Sequence, residues 1–345
     1  MSDLLPIGQE IPAGRRKELF FRITDNPFGN RALGYSILIP KTWGIDSSLK
    51  VASAELSAAG LKPLAIFRGM AGDSAYAYLQ LQATLLTREI TASYWLTAWA
   101  LSAGYTVVES RELSPLFVDA LIEFFIEETA HTMRVTVKID GNRLFLTKAF
   151  VPTAAYSAVD QTFGLMVASF ELTQPSPHPY IEVRTNLRIA ERIRLQHPAS
   201  WRSRILTELP DGKAAADLYQ IDDADSLQGL IRIKLAEKRV VSSLPLMLKN
   251  TQEELQSADI TLEEELHNGR VESPVELYKA GQLLIYTASI EGNPSPQEVW
   301  IYVFETTTHF IAMTLLTPTR DSSYFAWAVN KRAFELMLDS IKFVA

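Results

Sequence analysis

The histidine, serine and glycine residues that could do chemistry in this sequence do not show a catalytic or metal-binding spacing. A local zinc pair needs two histidines a few positions apart on one element. No two of the five histidines are two or four positions apart: His131, His178, His197, His267 and His309. No G-x-S-x-G nucleophile elbow occurs, and the Gly-rich segment 69–74 lacks the Lys-Ser/Thr of a phosphate-binding loop. We therefore predict a protein that is not an enzyme, with no catalytic residues, no metal and no cofactor.

Two acidic clusters are the next candidates for a site. Asp222, Asp223 and Asp225 lack the spacing of an EF-hand loop and its closing glutamate. The run 263–265 is three glutamates on a predicted exposed strand. A solvated surface explains both clusters, and a divalent-ion site is the alternative.

Six arginines lie within 21 residues early in the second half of the chain: Arg184, Arg188, Arg192, Arg194, Arg202 and Arg204. One interpretation is a patch for an anion or an acidic partner, for which we select Arg188, Arg192 and Arg194. The other is pairing with acidic residues of the first half, or a charged strand edge that blocks aggregation. The net charge of −7 argues against nucleic-acid binding, which needs a broad basic surface.

Composition describes a folded chain without thiol chemistry. The chain has 345 residues, 47% hydrophobic and 21% charged, which fits two domains. Cysteine is absent, so disulfides, thiolate metal sites and cysteine nucleophiles are excluded. The first 21 residues lack the uninterrupted apolar stretch of a signal peptide, and no later stretch has the ~18 apolar residues of a spanning helix. We expect a cytoplasmic protein without membrane insertion.

The chain contains an internal duplication. Residues 35–43, YSILIPKTW, resemble residues 193–201, IRLQHPASW, with Pro40 matching Pro198 and Trp43 matching Trp201. Near the end of each half, FGLMVASFEL (163–172) resembles FELMLDSIKF (334–343). Two matches in the same order, each at the corresponding end of a half, indicate a tandem repeat. We predict an N-terminal tail at 1–17, one domain at 18–173, a Pro-rich linker at 174–180 and a second domain at 181–345.

Each half shows the pattern of an α+β domain. Period-two alternation predicts strands with one buried face, as in residues 78–85 and 132–139. Asp140-Gly141 predicts a tight hairpin after the second of these. Helices are predicted at 92–103 and after Pro152 in the first half, and at 244–257 and 322–341 in the second. Strands joined by tight turns are antiparallel, so each half is predicted to be an antiparallel sheet flanked by helices.

One strand is apolar on both faces, which suggests a binding surface. Within residues 298–305, Val299, Ile301 and Val303 would face one side and Trp300, Tyr302 and Phe304 the other. In the first half, Leu121 and Phe125 belong to a similar second apolar set with Phe117. Such a strand is either covered on both sides, by helices or by the other domain, or presents a groove to a partner. Trp300, Tyr302, Phe304, Leu121 and Phe125 are therefore candidate partner contacts.

The order of these features resembles the PsbP-like fold in two tandem copies. The resemblance rests on a strand ending in Pro-x-x-Trp, a mid-domain helix, a run of hairpins and a closing helix of type F-x-L-M-x-x-S. That superfamily includes the photosystem II protein PsbP, a Ran-binding nuclear import factor, bacterial DcrB-like proteins and Eag-type chaperones of type VI secretion effectors. Eag-type chaperones have one copy and dimerise, so the resemblance implies an intramolecular pseudo-dimer here.

Three functions follow from these observations. The resemblance implies a bacterial cytoplasmic chaperone or adaptor that holds an apolar segment of a secreted effector, shielding surface that would otherwise aggregate. The alternative is a structural or assembly adaptor that docks onto a larger complex through its polar surface. An enzyme would need a convergent polar site. In the first two functions the partner is a protein.

Overall fold

The computed structural model of the protein describes residues 13–46, 55–72, 75–206, 213–222, 226–271 and 281–343. The described chain divides into two compact units. The first domain contains residues up to Thr87 together with Thr91–Ile181. The second contains Arg88–Ile90 and the residues from Glu182 onward. No helix in the described ranges is long and apolar enough to cross a membrane.

The first domain contains three α-helices and ten strands within its described residues. In chain order they are α1 Ala13–Leu19, β1 Phe20–Asp25, β2 Tyr35–Pro40, β3 Gly44–Ile45, β4 Lys62–Ala71, β5 Ala75–Leu85, α2 Ala92–Ser102, β6 Thr106–Ser114, β7 Phe117–Ile126, β8 Thr129–Asp140, β9 Arg143–Pro152, α3 Asp160–Ala168 and β10 Glu171–Leu172.

The second domain continues the numbering with two helices and ten strands in its described part. They are β11 Arg184–Ile189, β12 Ile193–Pro198, β13 Arg202–Leu206, β14 Lys213–Ile221, β15 Leu227–Glu237, α4 Leu244–Ser257, β16 Ile260–Val271, β17 Gly281–Ile290, β18 Asn293–Glu305, β19 His309–Pro318, α5 Tyr324–Asp339 and β20 Lys342–Phe343.

The two domains share one topology. Each has an antiparallel seven-stranded sheet, ordered β3-β4-β5-β9-β8-β7-β6 in the first domain and β13-β14-β15-β19-β18-β17-β16 in the second. Each also has a small three-stranded sheet, β1-β2-β10 and β11-β12-β20. The sequence-based prediction of two tandem α+β domains is therefore confirmed. The registers also define equivalent positions in the two copies, which serve below as an internal reference.

The Pro-x-x-Trp motif closes a turn at the end of the middle strand of each small sheet. Trp43 N donates to Pro40 O at 2.9 Å, and Trp201 N donates to Pro198 O at 3.0 Å. Both tryptophans are buried. In the first domain the indole lies directly against Gly69, where a Cβ would come within 2.1 Å of the ring. The motif therefore anchors the small sheet to the core of its domain.

The serine of the closing-helix motif ties that helix to the same small sheet. Ser169 Oγ donates to Met166 O at 2.8 Å and accepts from Leu38 N at 2.8 Å. Ser340 Oγ donates to Met337 O at 3.0 Å and accepts from Gln196 N at 2.9 Å. A backbone N–H that a ladder leaves unpaired needs such a partner. This role of the serines explains why the motif recurs at the C-terminal end of the closing helix in each domain.

The other local predictions fit the described elements. Helix α2 begins after Thr91, whose side chain accepts from Tyr94 N, and α4 begins after Ser243, whose side chain accepts from Leu246 N. Gly141 has φ +60° in the β8–β9 hairpin, a conformation that glycine tolerates.

The two segments predicted to lie outside the domains are partly structured. Residues 1–12 of the predicted tail lie outside the described residues, and α1 follows them. In the predicted linker 174–180, Ser176 N donates to the Asp140 carboxylate at 2.9 and 3.0 Å. Arg143 Nη2 donates to Gln174 O at 3.1 Å. The linker therefore lies against the β8–β9 hairpin, which its prolines alone did not indicate.

Candidate partner-binding surfaces

The strand that is apolar on both faces is β18, and its side chains alternate as predicted. Val299, Ile301 and Val303 are in one cluster of buried residues with Met247 of α4. Pairing between β18 and β19 runs without a register shift from Gln297 to Glu305, so no bulge disturbs the alternation. Trp300, Tyr302 and Phe304 consequently lie on the opposite face.

That opposite face is closed at these three residues by the chain itself. Trp300, Tyr302 and Phe304 are 6%, 2% and 0% exposed. The Trp300 ring contacts two rings of α5, with centroids 6.2 Å from Trp327 and 6.1 Å from Phe334. The prediction that these side chains form an open binding surface is wrong, because all three are buried and Trp300 packs against α5. Both apolar sets are core.

A single carboxylate organises the aromatic cluster. Glu298 Oε2 accepts from Trp300 Nε1 at 3.0 Å and from Trp327 Nε1 at 2.9 Å. Arg320 lies 4.0 Å from Glu298 Oε1 and 4.3 Å from the centroid of the Trp327 ring. Glu298 therefore has a structural role, since its buried charge is compensated by two indole N–H groups and a guanidinium.

The first-domain candidates separate into one core residue and one surface residue. Leu121 is 5% exposed, whereas Phe125, near the end of β7, is 72% exposed. Ile126 beside it is also exposed. Leu121 is thus excluded as a partner contact by burial, and Phe125 is accessible to one.

One part of the aromatic face in the second domain stays accessible beside the core. A cleft of about 920 Å³ lies over strands β16 and β17, lined in part by Leu266, His267, Ile285 and Thr287. Ile285 is directly opposite Trp300 in the pairing of β17 with β18. Polar groups complete the lining, among them Glu264, Arg320 and Asp321.

The arginine cluster is divided among several contacts. Arg204 Nη2 lies 3.0 Å from Asp217 Oδ2, and Arg192 Nη2 lies 3.8 Å from Glu237 Oε1. Burial alone would raise the pKa of Asp217, but hydrogen bonds from Arg232 and Arg204 hold it below its usual value. For Arg192 and Arg204, therefore, ion pairing within the second domain is what the structure shows.

Arg188 and Arg194 instead form a row with a third cation. Arg188 on β11 is directly opposite Arg194 on β12, and Arg194 is directly opposite Lys342 on β20. Residues in direct register point to the same side of a sheet with Cβ atoms ~5 Å apart. All three side chains are exposed. We call Arg188, Arg194 and Lys342 the basic row.

The compensation of the basic row is slight and lies at the surface. Arg188 is 3.4 Å from Glu191, and this pair is exposed on both sides. Arg194 donates to Asn186 Oδ1 at 3.2 and 3.3 Å, a neutral partner. Exposed pairs of this kind contribute little free energy. Most of the positive potential of the row is therefore available to an incoming anion.

The equivalent positions of the first domain carry no such row. Pro40 and Pro198 are equivalent residues of the repeat. Counting from them along the paired strands aligns Arg188, Arg194 and Lys342 with Thr24, Ser36 and Glu171. The first domain thus has a net charge of −1 where the second has +3. Like charges opposite each other destabilise a sheet, so folding of this architecture does not require the basic row.

The remaining candidates show structural roles. His197 is buried within β12, and its Nδ1 donates to Pro198 O at 2.9 Å. The glutamates 263–265 lie on the exposed edge strand β16. Asp222 accepts from Ser226 N, and Asp223 and Asp225 lie outside the described residues. Within the described ranges, no three His, Asp or Glu side chains are grouped so as to hold a metal ion.

Lys342 is the residue of the basic row that sequence reasoning missed. It lies 148 positions after Arg194, and only the pairing of β20 with β12 places it beside the arginines. The repeat match of the closing helices was the available signal, because it aligns the residues after Ser169 and Ser340.

The comparisons with known proteins find similar structures only. No family model and no curated protein matches the chain. A solution structure of cyanobacterial PsbP from Synechocystis sp. PCC 6803 is 12% identical and covers 45% of this chain and 92% of its own, with a TM-score of 0.33.

Two further structures extend over most of the chain. The type VI secretion immunity protein TplEi from Pseudomonas aeruginosa, complexed with "L" peptide, is 10% identical, with 94% of this chain and 97% of that chain covered and a TM-score of 0.23. The Tle4–Tli4 complex gives 11% identity, 94% and 98% coverage and a TM-score of 0.23.

Proposed function

We propose that this protein is a non-enzymatic adaptor that binds an acidic segment of a partner protein on the basic row of its second domain. The observation that carries the proposal is the alignment of Arg188, Arg194 and Lys342 across three neighbouring strands, all exposed. The first copy of the fold has Thr24, Ser36 and Glu171 there, so the fold does not account for the row.

The spacing of the row suits carboxylates on a regular element. Neighbouring strands lie ~4.8 Å apart, and acidic side chains three or four residues apart on a helix have Cβ atoms ~5–6 Å apart. Arginine adds bidentate recognition of each carboxylate. The row is one residue wide on a chain of net charge −7. Those dimensions favour an acidic protein segment over the extended phosphate backbone of a nucleic acid.

The closed apolar core supports docking by a polar surface. Trp300, Tyr302 and Phe304 are buried, and α5 packs on Trp300, so holding an apolar client on this strand would require at least that helix to leave. Removing α5 would expose a core cluster that contributes several kcal/mol of burial. Among the functions derived from the sequence, we therefore propose the adaptor. We propose that it acts in the cytoplasm, where disulfides are rare and a chain without cysteine lacks none that it would need.

A cross-linking experiment tests the proposal. Asn186 lies on the exposed face of β11 beside Arg194, so a photoreactive amino acid at position 186 should capture the partner in the native cell. Mass spectrometry should place the cross-link in an Asp/Glu-rich segment. A triple variant that replaces the basic row with the first-domain residues, Arg188→Thr, Arg194→Ser and Lys342→Glu, should abolish capture. Capture that persists undiminished in the triple variant would exclude the basic row as the binding surface.

A second candidate is capture of an apolar segment in the cleft over β16 and β17. The observation that favours it is the cleft of about 920 Å³ with Ile285 and Leu266 in its lining. Ile285→Asp should then abolish partner binding while the triple variant of the basic row retains it. The opposite pattern would support the adaptor.

A further inference from the structure

A cavity of about 90 Å³ lies in the second domain between α4 and the seven-stranded sheet. Its apolar lining comes from Leu230 and Leu316 on the sheet and from Leu255 of α4. Thr314, Arg232 and Lys234 add polar groups from the strands. Glu254 of α4 also lines it, so the cavity is apolar within and has two cations and one carboxylate in its wall.

The first domain fills the equivalent space with larger side chains. Pro152 and Pro318 end equivalent strands, so the registers align Leu230 with Tyr78 and Leu316 with Phe150. The rings of Tyr78 and Phe150 stack with centroids 5.3 Å apart. Thr314 aligns with Lys148, whose Nζ lies 5.8 Å from the centroid of the Trp99 ring. Three substitutions between the copies thus all create space in the second domain.

The charge of the wall changes at the same positions. Arg232 and Lys234 align with Gln80 and Gln82 of the first domain. Arg232 is held by Asp217, with Nε 2.7 Å from Oδ1. Lys234 pairs with Glu254 of α4, and the lysine side chain is 12% exposed while that of the glutamate is 46% exposed. Glu254 can therefore turn outward into water, whereas the ammonium of Lys234 stays inside and needs an anionic partner.

We propose that this cavity binds a small aliphatic carboxylate, with its carbon chain among the leucines and its carboxylate on Lys234 in place of Glu254. A cavity of ~150 Å³ holds the six carbons of benzene, so about 90 Å³ corresponds to a chain of about three or four carbons. Valerate has this size. Two sources could supply this chemistry, a short aliphatic chain next to a carboxylate. One is a free carboxylate, and the other is the C-terminal leucine of a peptide.

Methyl NMR of the full-length protein locates the binding directly. Valerate, titrated to millimolar concentrations, should cause saturable shifts of the methyl groups of Leu230, Leu255 and Leu316. Pentanol tests the need for the carboxylate and acetate the need for the chain, and both should bind at least tenfold more weakly. N-acetyl-leucine is the second arm: tighter binding than valerate identifies a peptide terminus as the source, and weaker binding a free carboxylate.

Variants that restore first-domain residues test the location. Leu230→Tyr combined with Leu316→Phe leaves the methyl groups of Leu255 as the reporter, and their saturable shifts should disappear. Tm should not fall, because the same pair packs stably in the first domain. Lys234→Gln should weaken valerate at least tenfold, and Glu254→Gln should tighten it, since the ligand then has no carboxylate to displace. Wild-type shifts that do not saturate, or a Leu230→Tyr/Leu316→Phe protein that still binds valerate, would overturn the proposal.

Discussion

Asp119 and Arg134 form a completely buried ion pair on the sheet of the first domain. Arg134 Nη2 lies 2.9 Å from Asp119 Oδ2, and Arg134 Nε lies 3.2 Å from Oδ1. Arg111 adds a contact of 2.6 Å to Oδ2. The registers place Leu283 and Trp300 at the equivalent positions of the second domain. One copy thus stabilises this part of its sheet by charge pairing and the other by aromatic packing.

Replacing Asp119 with leucine, the residue of the second domain, should strongly destabilise the first domain. The change removes the carboxylate from a buried guanidinium, and breaking a buried pair from one side costs about 3–5 kcal/mol. Chemical denaturation should show this loss in the free energy of unfolding of the first domain.

An exposed ion pair of the same domain provides the control. Arg22 lies 3.3 Å from Glu171, and their side chains are 46% and 69% exposed. Glu171→Ala should change the free energy of unfolding by less than about 1 kcal/mol. Equal losses in the two variants would contradict the assigned difference between buried and exposed pairs.

Periodicity and repeats predicted the elements but not which surfaces they cover. The helix predicted at 244–257 matches α4, and the Pro-x-x-Trp and F-x-L-M-x-x-S matches identify the two copies. The apolar alternation of 299–304 also fits the structure. The sequence left open whether α5 or a partner covers Trp300, because alternation describes a strand and not its neighbours.

The basic row shows that the spacing of charges along the chain likewise does not predict which residues become neighbours. Clustering along the chain grouped six arginines, yet strand pairing leaves two of them in a row with Lys342 and turns Arg192 and Arg204 toward Glu237 and Asp217. Contacts between residues distant in sequence decide such groupings, and no local spacing encodes them.

Tyr302→Asp should lower Tm steeply. The residue is 2% exposed, its ring centroid is 5.2 Å from that of Phe304, and burial raises its pKa. A carboxylate there would be buried without a partner, at a cost of at least about 3 kcal/mol. Tyr302→Phe should be nearly neutral, because the hydroxyl has no hydrogen-bond partner among the described residues.

The matched surface variant is Phe125→Asp, at a position 72% exposed. Thermal unfolding should show a Tm close to that of the wild type. If Tyr302→Asp unfolded at the same temperature as Phe125→Asp, the assignment of Tyr302 to the core would be incorrect.

Acid should destabilise the second domain through His197. Burial lowers the pKa of this histidine, so the unfolded state takes up its proton at a higher pH than the folded state. The stability that neutral His197 contributes is complete above pH ~6.5, the usual histidine value, and is lost as the pH falls below it.

His197→Ile installs the residue that the first domain buries at the equivalent position, Ile39. The difference in Tm between pH 7.5 and pH 5 should therefore shrink in this variant. His178→Gln, at an exposed position, is the control and should leave the difference unchanged.

Arg194→Ser should raise the stability of the second domain while weakening partner binding. Arg194 is the middle cation of the basic row, with Arg188 and Lys342 directly opposite it on the two neighbouring strands. Relief of two like-charge contacts is worth about 0.2–1 kcal/mol each, and the hydrogen bond that Arg194 donates to Asn186 is exposed. Tm at low ionic strength should therefore rise by a few degrees, since ~1 kcal/mol shifts a domain of this size by ~2–4 °C. The gain should diminish in 1 M salt, where the screening length is ~3 Å.

A lower Tm for Arg194→Ser would show that the arginine serves folding, and the basic row would then no longer indicate a binding surface. A rise in Tm together with lost capture is the pattern of a residue maintained for binding at the expense of stability.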